Sequence, residues 1–144
     1  MTLMNRIVRC ALVGLALNLA VGPATADVVA VVSSTSTVTA LSKGQVADIF
    51  LGKVSRFPNG TPAIAIDHVE GSPARDEFYV TYAGKSPAQV KSHWAKIIFT
   101  GRGQPPKSVS NSVEVRKLIA ANPQAISYIE RSAVDSTIRV IVQP

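Results

Sequence analysis

Residues 63–78 read AIAIDHVEGSPARDEF. The apolar run Ala63–Ile66 fits a short strand buried in a sheet, and Gly71-Ser72-Pro73 is turn chemistry leading into a helix. Serine is a favoured N-cap, and proline at the first helical position loses an N–H that has no intrahelical partner there. A strand, a tight turn and a helix within sixteen residues is the building unit of an α/β domain. The DHVEG segment between them reads as a solvated loop.

The flanking sequence repeats this alternation. Val28–Ser33 (VVAVVS) is a β-branched run suited to a strand buried on both faces. Ser42 with Gln45 forms a capping-box pattern, Val46, Ile49 and Phe50 share one face, and Gly52 can end the helix in the left-handed conformation. The helix opened by Ser72 runs to about Ala83 and stops at Gly84. Ser86-Pro87-Ala88-Gln89 opens the next, which carries Val90, Trp94, Ile97 and Ile98 toward a core. Thr100–Lys107 (TGRGQPPK) reads as a loop. Asn111 with Glu114 caps a helix bearing Val115, Leu118 and Ile119, and Asn122-Pro123 ends it. Ile126–Ile129 and Ile138–Val142 are the last strand candidates. The expected fold is α/β, with a mainly parallel central sheet flanked by helices.

The chain has 144 residues. Its start has the layout of a secretory leader: Arg6 and Arg9, the apolar run ALVGLALNLAV, and small residues at Ala24 and Ala26. The apolar run is short for a bilayer span. We expect cleavage after Ala26, a periplasmic destination, and one domain over residues 27–144. The lone cysteine, Cys10, leaves with the leader, so the core must hold without disulfides. The formal charge of +6 includes Arg6 and Arg9, and without them it is +4. Lys and Arg are scattered rather than clustered, which argues against a nucleic-acid partner.

The turn itself has the ingredients of an oxyanion site. Gly71 lets a ligand approach the backbone, Ser72 offers a hydroxyl, and Arg75 supplies charge in the first helical turn. The competing reading is structural, since Ser86-Pro87 starts a helix by the same device without a glycine. Asp67, His68, Glu70 and His93 lack metal-ligand spacing, so no metal is expected. Ser72 lacks a nucleophile elbow, because Glu70 and Ala74 occupy the flanking glycine positions. Neither an enzyme nor a cofactor is expected.

Four segments in order, VADIFLGK (46–53), EGSPARDEF (70–78), Trp94 with IIFTGRG (97–103), and AISYI (125–129), resemble the phosphate-binding proteins of ABC transporters. These are type II periplasmic binding proteins, and the resemblance is to one lobe, in a short single-lobe form. It implies an oxyanion held at Gly71 and Ser72, with Glu70 accepting the proton of a hydrogen-phosphate and Arg75 as the paired cation. The family's Gly-Thr after the serine is Pro73-Ala74 here, and its preceding arginine falls on His68. The family closes two lobes over its ligand, so a second copy of the chain or another protein would supply the opposite wall. The resemblance thus implies phosphate or a similar anion as ligand and an ABC permease or other membrane protein as partner. The alternative is an interaction or sensor-associated module that keeps the fold without capturing a ligand.

Overall fold

The computed structural model describes residues 27–142, and the expected leader at 1–26 lies outside the described residues. Five strands form one sheet in the order β3-β2-β4-β1-β5. They are β1 (Val28–Ser33), β2 (Ile64–His68), β3 (Lys107–Val109), β4 (Ala125–Glu130) and β5 (Ile138–Val140). β2 pairs parallel with β3 and β4, whereas β1 pairs antiparallel with both β4 and β5. Four strands therefore point one way, and β1 alone is inserted against them. The expected mainly parallel sheet is present, with one reversed strand.

Both faces of the sheet are covered. Successive strand residues point to opposite sides, so Val28, Ala30 and Val32 join one core cluster while Val29 and Val31 join the other. The first cluster is roofed by α1 (Lys43–Phe50), α2 (Pro73–Phe78) and α3 (Pro87–Phe99), through Val46, Phe50, Phe78, Val90 and Trp94. The second is covered by α4 (Ser112–Ala121) through Val115 and Ile119. α2 continues without a break into a π-helical turn, Tyr79–Ala83, which ends at left-handed Gly84.

Local chemistry sets the helix ends. Ser42 and Ser86 each accept from the backbone N–H three residues on, and Gln45 and Gln89 return the bond to complete both capping boxes. Gly52 has φ +73°, and a Cβ there would stand 2.8 Å from Cη2 of Trp94. That indole is 7% exposed and its buried Nε1–H has no acceptor among the described residues, so packing alone holds it.

Three details differ from the sequence reading. β2 extends through Asp67 and His68, both 3% exposed, so these residues are core rather than solvated loop. The end of the TGRGQPPK segment enters the sheet as β3. Ile98 is half exposed, because only the stripe of Val90, Trp94 and Ile97 meets the core.

Gly52→Ala and Gly60→Ala separate backbone strain from contact. Both glycines have positive φ, which costs other residues about 1–3 kcal/mol. A Cβ at Gly60 meets nothing within 4 Å. Gly52→Ala should therefore lower the denaturant midpoint clearly more than Gly60→Ala, and equal losses would show that Trp94 does not press on Gly52.

Candidate functional site

The chain leaves β2 through a tight turn in which Ser72 N–H donates to the Val69 carbonyl at 3.1 Å. Gly71, third in this turn, has φ +89°, a conformation that a type II turn demands and glycine supplies without strain. Ser72 is the N-cap of α2 and Pro73 stands at N1.

The start of α2 differs from the other three α-helix starts. At α1 and α3 the cap serine hydroxyl is occupied by a capping box, and at α4 the Asn111 side chain accepts from Glu114 N–H. The α4 start also faces an acid of the protein itself, since Ser112 Oγ donates to Glu130 Oε2 at 2.7 Å. This hydrogen bond, ahead of the opposing effect of partial burial, holds the Glu130 carboxyl below the usual range. At α2 the Ser72 hydroxyl makes no capping bond. The N–H groups of Gly71, Ala74 and Arg75 likewise have no acceptor among the described residues. Free N–H groups and an unused hydroxyl at a helix start form a region of positive potential suited to an anion.

Beneath the turn lies a buried polar cluster centred on Asp67. Its Oδ2 accepts from Tyr79 Oη at 2.7 Å and lies 3.5 Å from Arg75 Nε. Its Oδ1 accepts from Tyr128 Oη and, at 2.8 Å, from the His68 backbone N–H. His68 Nε2 donates to the Tyr128 carbonyl at 2.8 Å, and its ring stacks on that of Tyr128. Tyr128 in turn stacks on Phe78 with centroids 3.9 Å apart. Burial first, and then the neighbouring Asp67 charge, push the phenols of Tyr79 and Tyr128 well above the ordinary tyrosine range.

The four residues singled out in the sequence are thus placed as follows. Gly71 and Ser72 form the open turn. Arg75 lies under it, with its side chain 13% exposed, paired to Asp67 and set over the Tyr79 ring. Glu70 points outward, its Oε1 3.6 Å from Lys91 Nζ on α3. His93 is not part of this group; it donates from Nε2 to the Leu51 carbonyl. Sequence reasoning missed Asp67, Tyr79 and Tyr128 as a unit. The one local signal was an acid directly following four apolar residues.

The sequence matches no protein-family model and no curated protein. Solved structures do match the fold. One, from Clostridium perfringens with bound phosphate, is assigned as a phosphate ABC transporter substrate-binding protein: 21% identity, TM-score 0.65, covering 81% of this chain and 44% of that one. An ABC-type phosphate transport receptor from Vibrio cholerae matches at 18% identity and TM-score 0.63, covering 80% of this chain and 45% of that one. The chain spans less than half the length of these structures. The shared feature is the fold: a five-stranded sheet flanked by helices, matching one lobe of a periplasmic binding protein. The matched proteins are binding and transport proteins rather than enzymes.

Two measurements probe the Asp67 cluster. Removing one partner of a buried ion pair costs about 3–5 kcal/mol, whereas an exposed pair contributes about 0–1 kcal/mol. Asp67→Ala should therefore destabilise the fold several-fold more than Asp27→Ala, although the exposed Asp27–Arg131 pair is shorter at 2.6 Å. Second, all three tyrosines, Tyr79, Tyr82 and Tyr128, are raised by burial. A raised folded-state value favours the neutral phenol, so the stabilisation is complete below pH about 10, the unfolded value, and is lost above it. Alkaline titration should show the tyrosinate absorbance rising together with loss of the folded circular dichroism signal. A full tyrosinate signal from an intact fold near pH 10 would contradict the placement.

Proposed function

We propose that residues 27–142 act as a periplasmic solute-binding module that holds inorganic phosphate or a related oxyanion at the turn between β2 and α2. The observation that carries this reading is the open start of α2. Among the described residues it is the α-helix N-terminus whose cap hydroxyl and first available N–H groups are not used by the protein itself. The fold likeness to a structure with bound phosphate supports the same choice of ligand.

In this reading the N–H groups of Gly71, Ala74 and Arg75 and the Ser72 hydroxyl donate to the anion. Pro73 contributes no donor. The Arg75 guanidinium lies beneath the site, with its charge partly offset by its pairing with Asp67 and its plane set over Tyr79. Glu70, once turned inward from its contact with Lys91, accepts the proton of a hydrogen-phosphate, which sulfate lacks, so phosphate is preferred. One wall of a site leaves the ligand half in water, where each charge-assisted bond is weaker. A second copy of the chain, or another protein, closes the other side, and delivery is to an ABC permease.

A second reading rests on a separate observation. Phe99 is 92% exposed at the end of α3, beside half-exposed Ile98. An apolar pair displayed in this way suits docking to a membrane partner, with the turn serving only the fold.

Thermal melts with phosphate separate the two. A ligand at 100 times its dissociation constant should stabilise the fold by about 2.7 kcal/mol. A charge-assisted hydrogen bond contributes about 1.5–3 kcal/mol, so Ser72→Ala should weaken binding roughly tenfold or more. No shift at millimolar phosphate, or an equal shift in Ser72→Ala, rejects anion capture. Loss of membrane association in Phe99→Ser, with unchanged stability, would then support the docking reading.

A further inference from the structure

A cleft of about 460 Å³ opens away from the turn and shares no lining residue with it. It exists because the chain carries small residues just before and within β2, where it passes the helices. Ala63 and Ala65 face the α1–α3 layer, pack only partly against the first core cluster, and leave a gap that larger side chains would fill. Trp94, Ile97 and Ile49 form apolar walls. The rim is the segment after α3, where Arg102, Gly103, Gln104 and Pro106 line the opening.

Arg102 is the one charged side chain in this lining. It makes no ion pair and no side-chain hydrogen bond among the described residues. Its position is nonetheless set by the backbone. Gly101 has φ +66°, its N–H donates to the Ile98 carbonyl, and Arg102 N–H donates to that of Ile97, both at 3.1 Å. This is a Schellman ending, which places the residue in Arg102's position beside Ile97. The nearest acid in the adjoining hollow, Asp48, is paired with Lys53 at 3.9 Å. A cavity of this size with apolar walls and few polar groups has the character of a small-molecule site, and the polar groups choose the ligand.

We infer that this cleft binds an organic carboxylate with a flat apolar body, the body packing on Ile97 and the exposed edge of the buried Trp94 ring and the carboxylate meeting Arg102. Inorganic phosphate has no apolar surface to bury here. Conversely, the turn at Gly71 and Ser72 offers hydrogen-bond donors and does not line this cleft. The two sites therefore differ in ligand class, and the second does not depend on the first.

Trp94 is the only tryptophan in the chain, so it reports on its own site. The probes are benzoate, naphthoate and the uncharged benzamide, added to the folded protein while indole emission is followed. Naphthoate and benzoate should give a saturable change in Trp94 emission, with naphthoate the tighter because it buries more area. Arg102→Gln should weaken that affinity at least tenfold, and Arg102→Lys should recover part of it. Benzamide should bind much more weakly than benzoate, and phosphate alone should leave the emission unchanged. No saturable change with either acid up to 10 mM overturns the proposal, taking about 10 mM as the floor of useful affinity. So does equal binding by benzamide and benzoate, or by the wild-type and Arg102→Gln proteins.

Discussion

A buried carboxylate near the end of β2 is the constraint around which this lobe is organised. Asp67 is 3% exposed, and a charge in that position is costly unless it is paired and fully hydrogen-bonded. Its partners come from three parts of the chain: Arg75 and Tyr79 from the helix that follows, Tyr128 from the neighbouring strand, and the adjacent backbone N–H of His68. Satisfying Asp67 therefore fixes the end of β2 against α2 and β4 at once. The turn carrying Gly71 and Ser72 is the short bridge between two of these fixed points. Its shape follows from the network below it.

That arrangement explains why the cap hydroxyl and the Arg75 N–H at the start of α2 are unused while the cap side chains of the other three α-helices are bonded. The helix is held at Arg75, Phe78 and Tyr79 by ion pairing, stacking and hydrogen bonding, and by Tyr82 Oη, which accepts from Ala30 N–H at 3.2 Å. Capping adds on the order of 1 kcal/mol to a helix that has no other support. Here tertiary contacts supply more than that, so the Ser72 hydroxyl is not required for folding. α1 and α3 present their starts to solvent and use full capping boxes. A hydroxyl that the fold does not need is free to serve a ligand.

What could be read from the sequence follows from the range of the interactions involved. β1, both capping boxes, the Asn111 cap and the Ser72-Pro73 start were legible because each depends on residues within five positions of one another. Asp67 and His68 read as loop because charged and polar residues are usually solvated, and their compensating partner Tyr128 lies some sixty residues away. β3 was hidden for a similar reason: three residues after Pro105-Pro106 form a strand only because β2 offers an edge. The reversal of β1 is likewise a property of pairing, since a β-branched run carries no direction. The turn glycine at Gly71 and the helix start at Ser72 were legible, whereas the inward pairing of Arg75 was not.

The fold and the site differ in how far each can stand alone. Helices cover both faces of the sheet, and buried clusters on each side include Tyr128, Phe50 and Trp94 on one and Ile119, Ile129 and Val115 on the other. Hydrophobic burial is the main favourable term in folding, and these clusters supply it on both faces without a partner lobe. An anion held at the turn as proposed would have no such completeness. It would meet donors from one direction and water from the other, where a charge-assisted bond is screened by a high dielectric. Folding thus rests on the described core, whereas the proposed capture would become tight only with a second wall over the turn.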